Sequence, residues 1–272
     1  MKQPITQMKK ILFMGRKKVA ARSLEHLLSL KDCEVVGVLT DSHLAVSATA
    51  DVGRRAGLPI MTIEQAQAES LSGNLRFDIG VSMLYWRKIK KDLISAAPRG
   101  IINFHPAPLP AYKGTAGYNL AILEGLSEWA TTAHYMDESI DTGAIIDVSR
   151  FPISPRSETA QTLEKKSQDA LFSQFTRVIA SALASPGLLA TTPNGPGRYV
   201  TRAEMEAMKR IQPGDDLETK TRAFWFPPYD GAYVEIDGKR YTLVSQEMLS
   251  RLAEPGTSSL FSPPQGHHEA GS

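Results

Sequence analysis

A chain of 272 residues, 42% hydrophobic and 22% charged, has apolar material enough for one large domain or a domain with a small appendage, and its composition is ordinary for a soluble globular protein. The formal net charge of +2 provides no strong field for nucleic acid, so a tRNA or DNA partner would need a local patch. The one cysteine, Cys33, excludes an internal disulfide and a thiolate metal site. A reducing, cytoplasmic setting fits that usage. No apolar run reaches the length of a membrane span, and the N-terminus is too polar for a signal peptide, so no membrane partner is expected.

Residues 9–14 read as a buried parallel strand, and Gly15 turns the chain into a helix carrying Val19, Leu24, Leu27, Leu28 and Leu30. Strand, glycine and helix at the start of a chain open an α/β sheet. No G-x-G-x-x-G is present, which argues against a dinucleotide cofactor. Arg16, Lys17 and Lys18 sit where backbone N–H groups favour an anion, and they read either as a phosphate site or as a solvated basic turn. Residues 34–39 form the second strand, 46–56 a short helix, 58–61 a short strand, 64–71 another helix and 77–82 the next buried strand. This βαβ rhythm predicts a Rossmann-like α/β fold, a mostly parallel sheet with flanking helices. Residues 82–88 (Ser-Met-Leu-Tyr-Trp-Arg-Lys) follow at the carboxyl end of that strand, the end where open α/β sheets bind ligands.

The stretch 100–114 is the most informative. Its apolar run ends in Asn103 and His105, two polar side chains at i and i+2 that face the same way from a strand end. Asn103 offers an amide N–H₂, and His105 a nitrogen that exchanges a proton near neutral pH. The pair suits a reaction in which an oxyanion develops beside a nucleophile that loses a proton. Pro106 and Pro110 stiffen the exit, Tyr112-Lys113-Gly114 makes a turn with a cation, and 115–124 predicts a helix with Thr115 as N-cap. Farther on, 130–136 and 144–153 read as the arms of a β-hairpin, joined by Asp137-Glu138-Ser139-Ile140-Asp141-Thr142-Gly143. The run Asn103-Phe104-His105-Pro106-Ala107-Pro108-Leu109-Pro110-Ala111-Tyr112-Lys113-Gly114, together with 136–146, resembles the folate-dependent formyltransferase family, most closely the sugar-nucleotide N-formyltransferases. The likeness in layout covers roughly residues 8–185.

That resemblance implies a catalytic set of Asn103, His105 and Asp141, and a formyl donor, 10-formyltetrahydrofolate. It implies that the backbone at Met83, Leu84 and Tyr85, with Glu138, Ser139 and Ile140, holds the donor. Arg87, Lys88, Tyr112 and Lys113 are candidates for contacting the acceptor. The expected chemistry is attack of an amine on the formyl group, with Asn103 and His105 stabilising the oxyanion; whether His105 or Asp141 takes the amine proton is left open.

Residues 158–184 predict a core-facing amphipathic helix with Leu163, Leu171, Phe175, Val178 and Ala182 on one stripe. It closes a catalytic domain spanning 1–190. Prolines and glycines at 191–197 read as a linker, followed by a small C-terminal subdomain, 191–254, with short helices at 201–209 and 217–224. Asp237-Gly238 between apolar runs is a hairpin signal. The aromatic cluster at 224–226 reads either as glue to the main domain or as a face on which Trp225 or Phe226 stacks a base. Residues 255–272 are expected to be a disordered tail. His26, His43, His134, His267 and His268 show no ligand spacing, so no metal is expected. The expected acceptor is a nucleotide-linked amino sugar, such as a 4-amino-4,6-dideoxyhexose destined for a surface polysaccharide, with a homodimer in view. Methionyl-tRNA, glycinamide ribonucleotide or another small amine, a hydrolase acting on the same donor, and a silent folate-binding protein on the same fold are the alternatives.

Overall fold

The computed structural model describes residues 8–41 and 46–252. The expected tail at 255–272, with His267 and His268, and also His43 lie outside the described residues. Strand β1 (Lys9–Gly15) opens the chain and buries Ile11, Leu12, Phe13 and Met14 completely, as a central strand covered on both faces does. Helix α1 (Lys17–Ser29) follows, burying Val19, Ala20, Leu24 and Leu27, with Leu30 as its C-cap. Next come β2 (Cys33–Leu39), α2 (Ala48–Arg55), β3 (Ile60–Met61), α3 (Ile63–Leu71), β4 (Ile79–Met83), α4 (Lys91–Ser95) and β5 (Ile101–His105). The chain continues through β6 (Tyr112–Gly114), α5 (Gly117–Leu123), β7 (Glu128–Tyr135), β8 (Ile145–Pro152) and α6 (Ala160–Ala184). After α6 lie β9 (Arg198–Val200), α7 (Arg202–Met208), α8 (Leu217–Ala223), β10 (Tyr233–Ile236), β11 (Lys239–Thr242) and α9 (Gln246–Leu252).

Seven strands form one sheet in the order β3-β2-β1-β4-β5-β7-β8. Strands β1 to β5 run parallel, while β7 and β8 are antiparallel additions at one edge. The expected Rossmann-like sheet with flanking helices is present, and the β10–β11 hairpin turns at Asp237-Gly238 as its sequence requires. Helix α6 is capped by Thr159, whose side chain accepts from the Thr162 N–H, and it lays Leu171, Phe175, Val178 and Ile179 on the sheet. The rings of Phe175 and Phe104 meet edge-on, 5.3 Å apart.

Several expected boundaries move for identifiable reasons. The helix expected at 46–56 starts at Ala48 because Ser47 takes the capping role, and the one expected at 64–71 starts at Ile63 behind a Thr62–Gln65 capping box. Pro59 stays outside β3, offering only its carbonyl to Val38. The helix expected at 115–124 begins at Gly117, and Thr115 is not its cap. The Thr115 hydroxyl and N–H are both committed to the Val200 carbonyl, and Ala116 holds the cap position at φ 67° without a side-chain bond. The turn expected at Tyr112-Lys113-Gly114 is strand β6, paired in parallel with β9 from the far side of the 191–197 segment. No helix among the described residues is long and apolar enough to cross a membrane.

Candidate active site

The carboxyl ends of β1, β4 and β5 open on one edge of the sheet, and the chemistry gathers there. Asn103 sits on β5, half-buried, directly opposite His134 of the antiparallel neighbour β7. The Asn103 amide donates through Nδ2 to His134 Nε2 at 3.0 Å. His134 Nδ1 lies 2.8 Å from the Tyr135 carbonyl and must donate to it, so Nε2 is an acceptor and the orientation of the Asn103 amide follows. One Asn103 N–H is thereby used, and the other has no acceptor among the described residues.

His105, at the end of β5, is buried. Its Nε2 lies 3.0 Å from the Tyr112 carbonyl and its Nδ1 lies 3.4 Å from Asp141 Oδ1. Both ring nitrogens face oxygens, so the ring is best satisfied as a cation; burial opposes that charge and moves its pKa down, with His134 adding to the shift and Asp141 and the Tyr112 carbonyl resisting it. Asp141 is buried at φ 55°, and its Oδ2 accepts from the Gly114 N–H at 2.9 Å. Burial pulls its pKa up, but His105, His134 and the Gly114 N–H outweigh burial and bring it to about 2. The pull of His105 is greatest when His105 is charged, the state that burial disfavours. His134 Nε2 stands 3.8 Å from Asp141, too far for a hydrogen bond. The Gly114 N–H favours an ionised Asp141, and burial favours the neutral ring of His105.

Two hollows flank this group. One, of about 170 Å³, is lined by Tyr85, Trp86, Lys88, Asn103, His134, Ile140 and Asp141, among others. The second, of about 120 Å³, is walled by His105, Tyr112, Thr115, Ala116 and Tyr118. Larger hollows, of about 360 and 420 Å³, lie at the β3 edge and at the opposite end of the sheet and hold no such constellation.

A family model described as Formyl transferase matches residues 9–179. The chain belongs to the formyl transferase family. It is 30% identical over 240 residues to GDP-perosamine N-formyltransferase of Brucella melitensis biotype 1, covering 80% of this chain and 87% of that one. To methionyl-tRNA formyltransferase of Roseiflexus sp. (strain RS-1) it is 26% identical over 269 residues, covering 91% and 80%. Among solved structures, a 4-N formyltransferase from Francisella tularensis superposes with a TM-score of 0.75 at 21% identity, covering 88% of this chain and 98% of that one. An N-formyltransferase from Helicobacter canadensis, in complex with folinic acid and dTDP-3-aminofucose, gives 0.70 at 22%, covering 86% of each. These two structures establish likeness of fold.

The other expected site residues divide. Met83 is fully buried, and its carbonyl accepts from the Arg16 N–H. Leu84 takes φ 54°, and the Tyr85 and Trp86 rings lie 4.9 Å apart. Glu138 pairs with Lys91 at 3.2 Å, the Ser139 N–H donates to Asp137, and Ile140 is exposed along the first hollow. Arg87 and Lys88 both line the first hollow, Arg87 with its guanidinium held by Glu64 at 2.5 Å. The Tyr112 hydroxyl donates to Glu124, and Lys113 is buried with its ammonium on the Gly195 carbonyl. Trp225 is buried and walls neither hollow. Phe226, half-buried, has the Lys17 ammonium 5.9 Å above its ring, and Lys17 pairs with Glu164. His134 was expected only as a hairpin residue; the β5–β7 register that sets it against Asn103 has no signature in either strand alone. Thr132 and His134, two polar residues two positions apart and so on one face of β7, were the available signal. Among the described residues no group of three or more His, Cys, Asp or Glu is arranged to hold a metal ion.

Proposed function

We propose that this enzyme moves the formyl group of 10-formyltetrahydrofolate to the amine of a nucleotide-linked amino sugar, with Asn103, His105 and Asp141 as its catalytic residues. The observation that carries this reading is that Asn103 and Asp141 line one hollow while His105, whose Nδ1 lies 3.4 Å from Asp141, lines a second. The donor occupies the hollow between 85–89 and 136–141, and the amine enters from the His105–Tyr118 side. The amine attacks the formyl carbon and forms the new C–N bond, and negative charge moves to the formyl oxygen. The second N–H of Asn103 receives that oxyanion. His105, neutral at rest, takes the amine proton, since Asp141 with a pKa of about 2 is a poor base. The new charge on the ring is then met by Asp141 and the Tyr112 carbonyl. Collapse of the tetrahedral centre breaks the bond to N10 of the folate, which leaves as tetrahydrofolate after protonation.

Three features support a phosphorylated sugar acceptor. Arg16, over Trp86 at 5.4 Å and 3.4 Å from Asp41, and Lys17, over Phe226 and paired with Glu164, place two cations with aromatic neighbours at the end of β1, where a phosphate would compete with those carboxylates. The hollow beside His105 is small. The 30% identity over 240 residues is to an enzyme named for GDP-perosamine, a nucleotide-linked amino sugar. Methionyl-tRNA is the second reading, favoured by 34% identity over 214 residues to the Burkholderia multivorans methionyl-tRNA formyltransferase, of which 62% is covered. We place the reaction in the cytoplasm, in synthesis of a surface polysaccharide.

The deciding experiment follows tetrahydrofolate release by absorbance against a panel of nucleotide-linked amino sugars, initiator methionyl-tRNA and no acceptor. Turnover with one amino sugar alone is expected. Turnover with tRNA alone overturns the acceptor, and turnover without any amine makes the protein a hydrolase.

A further inference from the structure

The segment 191–197 does more than join two parts of the chain. Thr192 exchanges two backbone hydrogen bonds with Ile145, and Arg198–Val200 pairs with Tyr112–Gly114. Between these anchor points Asn194 turns its amide onto the catalytic loop, donating through Nδ2 to the Asp141 carbonyl at 3.0 Å and the Gly143 carbonyl at 2.9 Å. Two acceptors at one end fix which end of the amide is nitrogen. Its Oδ1 is buried without a hydrogen-bond partner, an arrangement that costs stability and that no packing argument requires.

We propose that Asn194 is a positioning residue for formyl transfer, holding Asp141 in the left-handed backbone conformation from which its carboxylate faces His105. This rests on the reading of Asp141 given above. A non-glycine residue at φ 55° persists only where its surroundings hold it, and here the main chain is held by Asn194 while the carboxylate is held by Gly114. Both restraints return to the same segment, since Lys113, next to Gly114, donates to the Gly195 carbonyl one residue after Asn194. Gly143 closes the loop against β7, where a Cβ would lie 1.8 Å from the Tyr135 carbonyl oxygen. The loop therefore cannot slide along β7, and Asn194 sets the turn of Asp141.

The test compares Asn194→Ala, Asn194→Asp and Asn194→Gln with the wild type in steady-state kinetics, thermal melts and an NMR titration of the His105 imidazole in the unliganded protein. The groups facing that ring are Asp141 from the loop, His134 from β7 and the Tyr112 carbonyl from β6. In Asn194→Ala and Asn194→Asp, kcat should fall roughly 10- to 100-fold, the effect of misplacing a reacting group by about an ångström, with the donor KM little changed. The His105 titration should move to lower pH in Asn194→Ala, because the supporting carboxylate is no longer held beside it. Asn194→Gln, which keeps the donor, should recover part of both. An unchanged His105 titration in a folded Asn194→Ala overturns the proposal, as does a loss of activity that merely tracks loss of folded protein. A wild type that formylates no amine refutes the proposed function instead, while the titration still decides the role of Asn194.

Discussion

The two ends of the same sheet solve one backbone problem with different residues. At the amino ends of the strands, the loops that need a left-handed residue use glycine: Gly57 before β3, Gly73 before β4 and Gly100 before β5. At the end that bears the site, Gly114 is joined by four non-glycine left-handed positions: Lys17 after β1, Leu84 after β4, Ala116 before α5 and Asp141. The fifth non-glycine residue of this kind among the described residues, Asp237, lies in the β10–β11 turn, where Asp-Gly is the ordinary choice. A side chain in this conformation costs on the order of 1–2 kcal/mol that glycine avoids. The site end accepts that cost four times over, and two of those side chains, Ala116 and Asp141, line a hollow. One end of the sheet is thus built for stability and the other for placement.

Substitutions at the two ends should therefore fail in different currencies. The largest effect is expected at Asn103. Asn103→Ala should lower kcat about 10²- to 10³-fold, equivalent to about 3–4 kcal/mol of barrier, with thermal unfolding nearly unchanged. A variant with wild-type turnover removes Asn103 from the chemistry. The converse test is Gly100→Ala, where the added Cβ would lie 2.7 Å from the Tyr135 ring at φ 73°. That ring cannot easily yield, because its hydroxyl accepts from the Leu189 N–H. Urea unfolding should report a loss of about 1–3 kcal/mol, with kcat per folded molecule retained. If Gly100→Ala instead lowers kcat in a stable protein, the division between the two ends does not hold.

The same division explains what could be read from the sequence. The parallel strands and α6 were legible because fully buried runs such as Ile11 to Met14, and the stripe Leu163, Leu171, Phe175 and Val178, carry their period in the chain itself. Asn103 and His105 were legible as an i, i+2 pair, and the resemblance pointed to Asp141. The contributions of His134 and Asn194 were not. They depend on the register between β5 and β7 and on a segment that returns across the site, both set by contacts distant in sequence. Thr115 was misjudged as a cap for the same reason, since the carbonyl that claims its hydroxyl belongs to Val200.

A smaller effect sharpens the comparison from the site end. Ala116→Gly relieves the left-handed strain at the start of α5 and removes only a methyl group from the wall of the second hollow. Stability should rise by up to about 1 kcal/mol, while the acceptor KM worsens a few-fold. A gain in stability with no change in acceptor KM would show that the second hollow is not where the acceptor binds.

The smallest effect expected is a pH dependence that belongs to the site end alone, since the amino-end glycines carry no titratable side chain. Burial holds the pKa of His105 below its ordinary value, so between that lowered pKa and the unfolded value of about 6.5 the unfolded chain binds more protons than the folded one. Stability should be fully present above about pH 6.5 and should decline as the pH falls through that window. Asp141, brought to about 2, is lowered in the same sense relative to its unfolded carboxyl, but in a separate window: its contribution is present above about pH 4 and is lost only as the pH falls toward 2. Urea midpoints at pH 7.5 and 5.5 therefore isolate the histidine, and His105→Gln should flatten the difference. An equal slope in His105→Gln would mean that His105 binds its proton in the folded protein as it does in the unfolded chain, and the pH dependence would belong to other groups.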